Sequence, residues 1–408
     1  MSNARSSWWT TALVLGATLL LSTDAHSRGG LRPGRDKASQ IFGGMYSGRH
    51  RFRKSWTSES LGSIKLKRVP GKIVWLNPEL SMPQLGVKAG VAPTPTQLAQ
   101  LAKLFGVLAV HDAKVKNDGS AVFPSHVGRA INPTSALRIV DASGKRINDL
   151  VVKGIGQTQK TYANEFNFSL KEAKVDADVA MNMRASGVRA YRPVLIFAPD
   201  GAPDKAIYVR APDSMLRNVD ASLLSPKELK PTLNHLVRTA TRMSGNRDLT
   251  VKSWTEQYLP SKFGKNAGKL AKLGITNQGF RGLDNHGLAG EVVDLDGVSI
   301  GSKPSDVKSF FANALTTAVE QIGQKLPGSV DPGQAAASFE RSYAEGLASS
   351  TSRIVLSEGT VKGLPARSLT KLFAGVDGLP YGDGGQQLTY LREKGFVKPG
   401  HMKGTILQ

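Results

Sequence analysis

No cysteine occurs in the 408 residues, so disulfides are excluded, while the redox character of the compartment stays open. Histidine is also scarce. The seven histidines (His26, His50, His111, His126, His235, His286 and His401) show no i,i+4 pair and no metal-ligand spacing, which argues against a zinc centre. Ser214 has no Gly-x-Ser-x-Gly frame, so a hydrolase reading fails. No repeat of fixed period is present, and no helix-turn-helix, zinc-finger or RNA-recognition signature. The apolar run from Thr11 to Leu21 (TALVLGATLLL) is too short for a membrane span. Acidic residues are few: 32 against 54 Lys and Arg, a formal net charge of +22.

What is present is a globular composition, 40% hydrophobic and 21% charged, long enough for one two-lobed unit. Arg5 before the apolar run, and Thr23-Asp24-Ala25 before His26, make residues 1–26 an export signal peptide that directs the chain to the periplasm or outside the cell. An uncleaved membrane anchor or an organelle presequence are the alternatives. Residues 27–70 read as a basic flexible arm. Across residues 28–72, twelve Lys and Arg face only Asp36 and Glu59, which suits contact with an anionic surface: lipid, cell-surface polymer or nucleic acid. Phe42, Tyr46, Phe52 and Trp56 would suit stacking on single-stranded bases. With no sequence-reading motif present, nucleic acid is not expected as the main partner.

The richest chemistry lies in Asp284-Asn285-His286-Gly287 and, nine residues past the asparagine, Asp294. Residues 281–285 read as a loop, 290–294 as a short strand and Asp296-Gly297 as a turn. In kinase-type sites a loop Asp orients or deprotonates the attacking hydroxyl, the loop Asn binds metal, and an Asp after the next strand binds it again. Asp284, Asn285 and Asp294 fit those roles; an ordinary Asx-turn is the plainer alternative. His286 is either a base or a residue that caps the turn.

Upstream, residues 136–142 and 148–153 read as strands joined by a hairpin across Ser143-Gly144-Lys145. The second delivers Lys153 into Gly154-Ile155-Gly156, where small residues permit close approach of backbone to phosphate. Residues 170–186 follow as a helix bearing Asp176 and Asp178, and residues 188–197 and 206–209 as strands. An exposed strand-end lysine and a solvated helix face are the plain alternatives. Residues 226–243, 304–325 and 333–348 read as helices, and the segment from Leu379 as Gly-rich turns with a basic tail.

In this order the motifs resemble the selenoprotein O family of kinase-fold protein adenylyltransferases. Lys153-Gly154-Ile155-Gly156-Gln157-Thr158 is similar to the family's Lys-Gly-x-Gly-x-Thr, and Arg210 to Arg217 (RAPDSMLR) to its Arg-Val-Ala-Pro-Ser-x-x-Arg. Asp284-Asn285 and Asp294 resemble its catalytic and metal residues. Asp176 stands where the family has the glutamate that pairs with the lysine, with Asp178 as a substitute. Asp294 is followed by Leu295-Asp296-Gly297 in place of Tyr-Gly-Pro, which makes Asp296 an alternative ligand. The family's segments before the lysine shrink to His126-Val127-Gly128, and its C-terminal selenocysteine or cysteine is missing.

The resemblance, over roughly residues 70 to 300, implies an α+β, protein-kinase-like two-lobed fold. An antiparallel sheet plus helix would form the N-lobe (71–205) and a mainly helical C-lobe (206–408) would hold the catalytic loop. It also implies ATP and Mg2+ as cofactors, with ATP reversed so that AMP passes to a Ser, Thr or Tyr hydroxyl of a protein substrate; a kinase-fold phosphotransferase with ATP in the ordinary orientation, and an inactive kinase-like protein that binds through its basic arm, are the alternatives. Lys153, Gly154, Gly156, Arg210 and Arg217 would bind the nucleotide, Asn285 and Asp294 the metal, and Asp284, Lys153 and Asp176 would be the catalytic set.

Overall fold

In the computed structural model of the chain, the described residues are 41, 64–111, 123–124, 130–132, 137–147, 150–156, 166, 168–213, 221, 224–277, 285–288, 290–293, 295, 297–301, 304–350 and 353–406. Strands β1 (Ile64–Arg68), β2 (Gly71–Leu76) and β3 (Leu80–Ser81) come first. Helix α1 (Pro95–Phe105) starts where Thr94 and Gln97 satisfy each other's backbone N–H groups, and it leads into β4 (Val107–His111), which pairs with β1. The last residues of the expected basic arm are therefore strand, with Lys67, Arg68 and Lys72 exposed; most of the rest of the arm lies outside the described residues.

Next come β5 (Phe123–Pro124), β6 (Ala130–Asn132), β7 (Ile139–Asp141), β8 (Arg146–Ile147) and β9 (Val151–Lys153). The hairpin expected across Ser143-Gly144-Lys145 forms, with Asp141 Oδ1 accepting from the Ser143 and Lys145 N–H groups. Its second strand is β8, however. Lys153 belongs to a separate strand in another sheet, so the expected strand over 148–153 is cut short.

Helix α2 (Leu170–Ala185) begins at a capping box of Ser169 and Glu172, and β10 (Arg192–Pro199) and β11 (Ile207–Ala211) follow. The main sheet has six strands in the order β2-β10-β11-β9-β6-β5, every pairing antiparallel. One face packs Ile207, Val209, Leu195 and Phe197 with α1 residues; the other packs Tyr208, Ile196 and Trp75 with α2 residues Ala173, Ala177 and Ala180. A division of the chain after residue 205 would cut this sheet, because β11 lies between β9 and β10.

The remainder is mainly helical. Helix α3 (Pro226–Ser244) leads to a π turn (Trp254–Tyr258) continuous with α4 (Leu259–Leu273). Strands β12 (Ile275–Asn277) and β13 (Val298–Ile300) pair and pinch the base of the segment between them. Helices α5 (Pro304–Lys325) and α6 (Pro332–Ala348) match the sequence reading. On α4, Gly264 and Gly268 face α6 so closely that a Cβ on either would strike the carbonyl of Phe339 or Tyr343.

Strand β14 (Leu356–Ser357), α7 (Glu358–Val361), α8 (Ala366–Leu372), α9 (Gly384–Glu393) and β15 (Val397–Lys398) follow. The tail then returns to the main sheet. Leu76 N–H donates to Gly404, Ile406 N–H donates to Val74, and the Trp75 indole N–H donates to Lys403 at 2.8 Å. Among the described residues, no helix is long and apolar enough to cross a membrane.

Candidate functional site

The register of the main sheet decides where the expected cations sit. Lys153 on β9 pairs with Tyr208 on β11, which pairs with Ile196 on β10, which pairs with Trp75 on β2. Since side chains alternate along a strand, Lys153 lies on the α2-facing side, together with Arg210 two residues beyond Tyr208. Diagonal neighbours of this kind are about 7–8 Å apart, close enough for both side chains to address one ligand. The Lys153 ammonium lies 4.5 Å from the Phe168 ring centroid, and the Arg210 guanidinium carbon 4.8 Å from that of Tyr191. Both aromatic rings adjoin Tyr208.

Asp176 joins this face. It falls in the α2 stripe of Ala173, Ala177, Ala180 and Met183, at the three- and four-residue spacings of one helical side. Lys153, Asp176 and Arg210 are 5%, 0% and 3% exposed, so these three are interior groups and the plain alternative of an exposed strand-end lysine fails. Asp178, two residues on, turns elsewhere. Its Oδ2 accepts from the Ser357 N–H at 2.7 Å and the Thr360 hydroxyl at 2.9 Å, tying α2 to the start of α7. Burial pushes its carboxyl up, against the pull of those two donors.

Gly154 and Gly156 have φ of 90° and 93°, a region that glycine occupies without strain. The Cβ position of Gly154 is filled by the Ala206 carbonyl and by Phe168, and Ile155 between the glycines is buried. The close approach at Gly154 is thus between two parts of the chain.

The second part of the site is the excursion between β12 and β13. Val293 N–H donates to the Asn285 carbonyl at 3.0 Å and Gly287 N–H to Glu291, so residues 285–293 fold back as a tight hairpin. Asp284 and Asp294 flank the 285/293 rung in sequence but lie outside the described residues, as do Asp296 and Arg217. Asn285 is half-buried. His286 is wholly buried, its ring 4.5 Å from Phe311 and 5.4 Å from Phe263, which makes it a packing residue and removes it as a solvent-facing base. The hairpin is bonded to the sheet entry, since Tyr191 N–H donates to the Val292 carbonyl and Val292 N–H to that of Arg189, both at 3.0 Å. Tyr191, which carries Arg210 on its ring, is therefore one hydrogen bond from the hairpin.

Sequence reasoning missed the polar groups that hold these pieces. Arg189 pairs with Asp213 at 2.7 Å, and buried Asn266 on α4 bonds the backbone of Arg189 and of Gly290. No local pattern signals a contact between residues 77 positions apart.

An Asn amide oxygen and an Asp carboxylate form the hard oxygen donor set that Mg2+ prefers, one or two protein ligands being completed by phosphate and water. Of the two residues expected to hold the ion, Asn285 is half-buried on the hairpin and Asp294 lies outside the described residues. Among the described residues there is no cluster of three or more His, Asp or Glu that could hold a metal. A groove of about 560 Å³ lined by Gln257, Asp331, Gln334, Ser338 and Arg341 opens at the start of α6 and includes none of the expected site residues.

No protein-family model matches the sequence, and no curated protein matches it. Among solved structures, a chain described as WaaP in complex with acyl carrier protein superposes with a TM-score of 0.27 and 12% identity, over 67% of this chain and 86% of that one. So weak a superposition does not define a fold. The architecture rests on strand order and register: a mixed α and β chain with one six-stranded antiparallel sheet, several small sheets and a helical remainder.

Proposed function

We propose that the chain is an ATP- and magnesium-dependent transferase with kinase-like architecture, and that it transfers AMP to a protein hydroxyl. One observation carries the reading: Lys153 and Arg210 share the sheet face covered by the helix that bears buried Asp176. In kinases the corresponding strand lysine meets the phosphates and pairs with an acid on the next helix. Half-buried Asn285, on a hairpin that is hydrogen-bonded to Tyr191, is the described residue that would supply an oxygen ligand to the metal.

For the finer step, the acceptor oxygen attacks the α-phosphorus, pyrophosphate leaves, and Asp284 takes the acceptor's proton. Arg210 supports this over γ-phosphoryl transfer, because a guanidinium beside the lysine suits the departing pyrophosphate bidentately. The depth of Lys153, Asp176 and Arg210 favours a second reading, an inactive kinase-like chain that binds a partner through its basic arm. Incubation of the full chain with α- or γ-labelled ATP and Mg2+ separates the readings. Protein label from α alone marks AMP transfer, label from γ marks phosphoryl transfer, and no label marks the second reading. Residues 1–26 support export, which a cell-fractionation assay tests.

A further inference from the structure

We propose that the solvent face of α4 is a docking surface for an acidic helix of a partner protein, one that carries Asp or Glu at three- and four-residue spacing. It uses none of the residues of the nucleotide reading and does not depend on that reading.

Helix α4 (LPSKFGKNAGKLAKL) carries four lysines and no acid. Lys262, Lys265, Lys269 and Lys272 follow one another at spacings of three, four and three, which sets them in one arc of the helix. The other side is packed, since Phe263, Asn266, Ala267, Leu270 and Ala271 are all buried. Like charges at these spacings destabilise a helix, and a surface ordinarily intersperses both signs. Here, among the described residues, no carboxylate lies within ion-pair distance of any of the four.

The contacts that the lysines do make are with neutral groups. Lys269 donates to the Gly187 carbonyl at the end of α2 and Lys272 to the Ser349 carbonyl at the end of α6, while the Lys262 ammonium lies 4.9 Å from the Tyr258 ring centroid. The two carbonyls explain where Lys269 and Lys272 sit, at the negative ends of helices, but they leave the net charge in place. Lys265 is exposed and has no hydrogen-bond or ion-pair partner among the described residues. Burial pushes the Lys262 ammonium below the usual lysine range, helped by the charges of Arg189 and Lys265; burial and Lys265 do the same to Lys269. An anion on this face would relieve that repulsion.

The chemistry narrows the occupant. All four cations are lysines, point charges without the planar fork that grips phosphate oxygens in pairs. Tyr258, the ring beside them, is half-buried under Lys262, which leaves no open platform for a nucleic-acid base. A bilayer surface would need apolar side chains beside the lysines to insert, and the apolar residues of α4 face the interior. The arc is also flanked, by Gly187 and Gly290 on one side and by Gly346 of α6 on the other, so it receives something narrow. Successive lysines are about 4.5, 6 and 4.5 Å apart along the axis, the rise of three, four and three residues. A second helix laid alongside has the same intervals, so acids at i, i+3, i+7 and i+10 would meet the four lysines one to one.

The test uses the full chain and two labelled peptides of identical composition. One is a helix with Glu at i, i+3, i+7 and i+10; the other has those four Glu in an unbroken run. Binding is read by fluorescence anisotropy, and the contact by carboxyl-to-amine crosslinking with peptide mapping. The spaced peptide is expected to bind more tightly than the run and to crosslink to Lys262 and Lys265. Lys265→Glu should weaken it by about 10-fold and slow its association. Lys371→Glu, at an exposed position on α8, should leave it within about twofold. The thermal midpoint of Lys265→Glu should hold or rise, because a carboxylate then stands between Lys262 and Lys269. Equal losses in the two variants, or crosslinks confined to residues 28–72, would reduce the effect to bulk charge and overturn the surface. No binding of the spaced peptide, or equal affinity for both peptides, overturns the helical partner. Tighter, Lys265-dependent binding of a polyuridylate strand or of phosphatidylglycerol vesicles overturns it in favour of that polyanion. If Lys265→Glu does not fold, Lys265→Gln carries the same measurements with a smaller loss; no loss there overturns the proposal.

Discussion

The two halves of the candidate site are built differently. The cationic half is set by a ladder: once β9, β10 and β11 are in register, Lys153 and Arg210 have no choice of face, and neighbouring rungs share any distortion. The half that carries Asn285 is a short hairpin with few rungs of its own, held by a side-chain amide from α4 and by the backbone ahead of β10. A ladder resists single substitutions, whereas a tethered hairpin can be released by one. The sheet half should therefore be rigid and the hairpin half adjustable.

The sharpest way to sharpen this contrast is Lys153→Met, which keeps an apolar stem over Phe168 and removes the charge. Transfer of label from ATP should fall by about 10²- to 10³-fold, the usual cost of losing one fixed group that stabilises developing charge. A full-rate variant would remove Lys153 from the chemistry.

On the other half, Gly268→Ala should push α4 off α6 and cost about 1–3 kcal/mol in urea unfolding, because the new methyl meets the Tyr343 carbonyl. The hairpin hangs on α4, so its amides should exchange faster in this variant than those of β11.

Asp176→Glu restores the acid found in the resembling family, yet Asp176 is wholly buried and an added methylene must fit a packed interior. We expect a loss of about 1 kcal/mol and lower transfer. A gain in both would show that the sheet side has slack, against the contrast drawn above.

The smallest effect separates two acids by pH. Asp178 is raised above the ordinary value of 3.8, so its contribution is complete below that value and is lost as the pH rises through its folded pKa. Asp213 is lowered, so its contribution is complete above 3.8 and is lost as the pH falls through its folded pKa. Urea midpoints from about pH 3 to about pH 7 should show Asp178→Asn flattening the decline on the alkaline side and Asp213→Asn the decline on the acid side. Matching profiles would contradict the burial and pairing assigned to them.

Much of the local order was legible in the sequence. The helical spacing over residues 170–186 finds α2, and the apolar stripe of α5 runs from Pro304 to Lys325 as expected. The sequence reading assigns no element to α4; glycine lowers helix propensity, and Gly264 and Gly268 stand inside α4 because they let two helices touch. The site divides the same way. Lysine, acid and asparagine stand in short motifs, but whether Asp176 or Asp178 faces the lysine depends on Ser357 and Thr360, about 180 residues away. The burial of Lys153 follows from strand pairing, which periodicity does not report.

The return of the tail to β2 carries a consequence for biogenesis. The Trp75 indole bonds Lys403 across 328 residues, so while the protein is being synthesised the β2 edge stays open until residues 403–406 have left the ribosome. For that interval it offers unpaired amides to any neighbouring nascent chain. A chaperone that shields extended edges would raise the yield of the full chain more than that of a variant whose β2 edge is blocked by a proline.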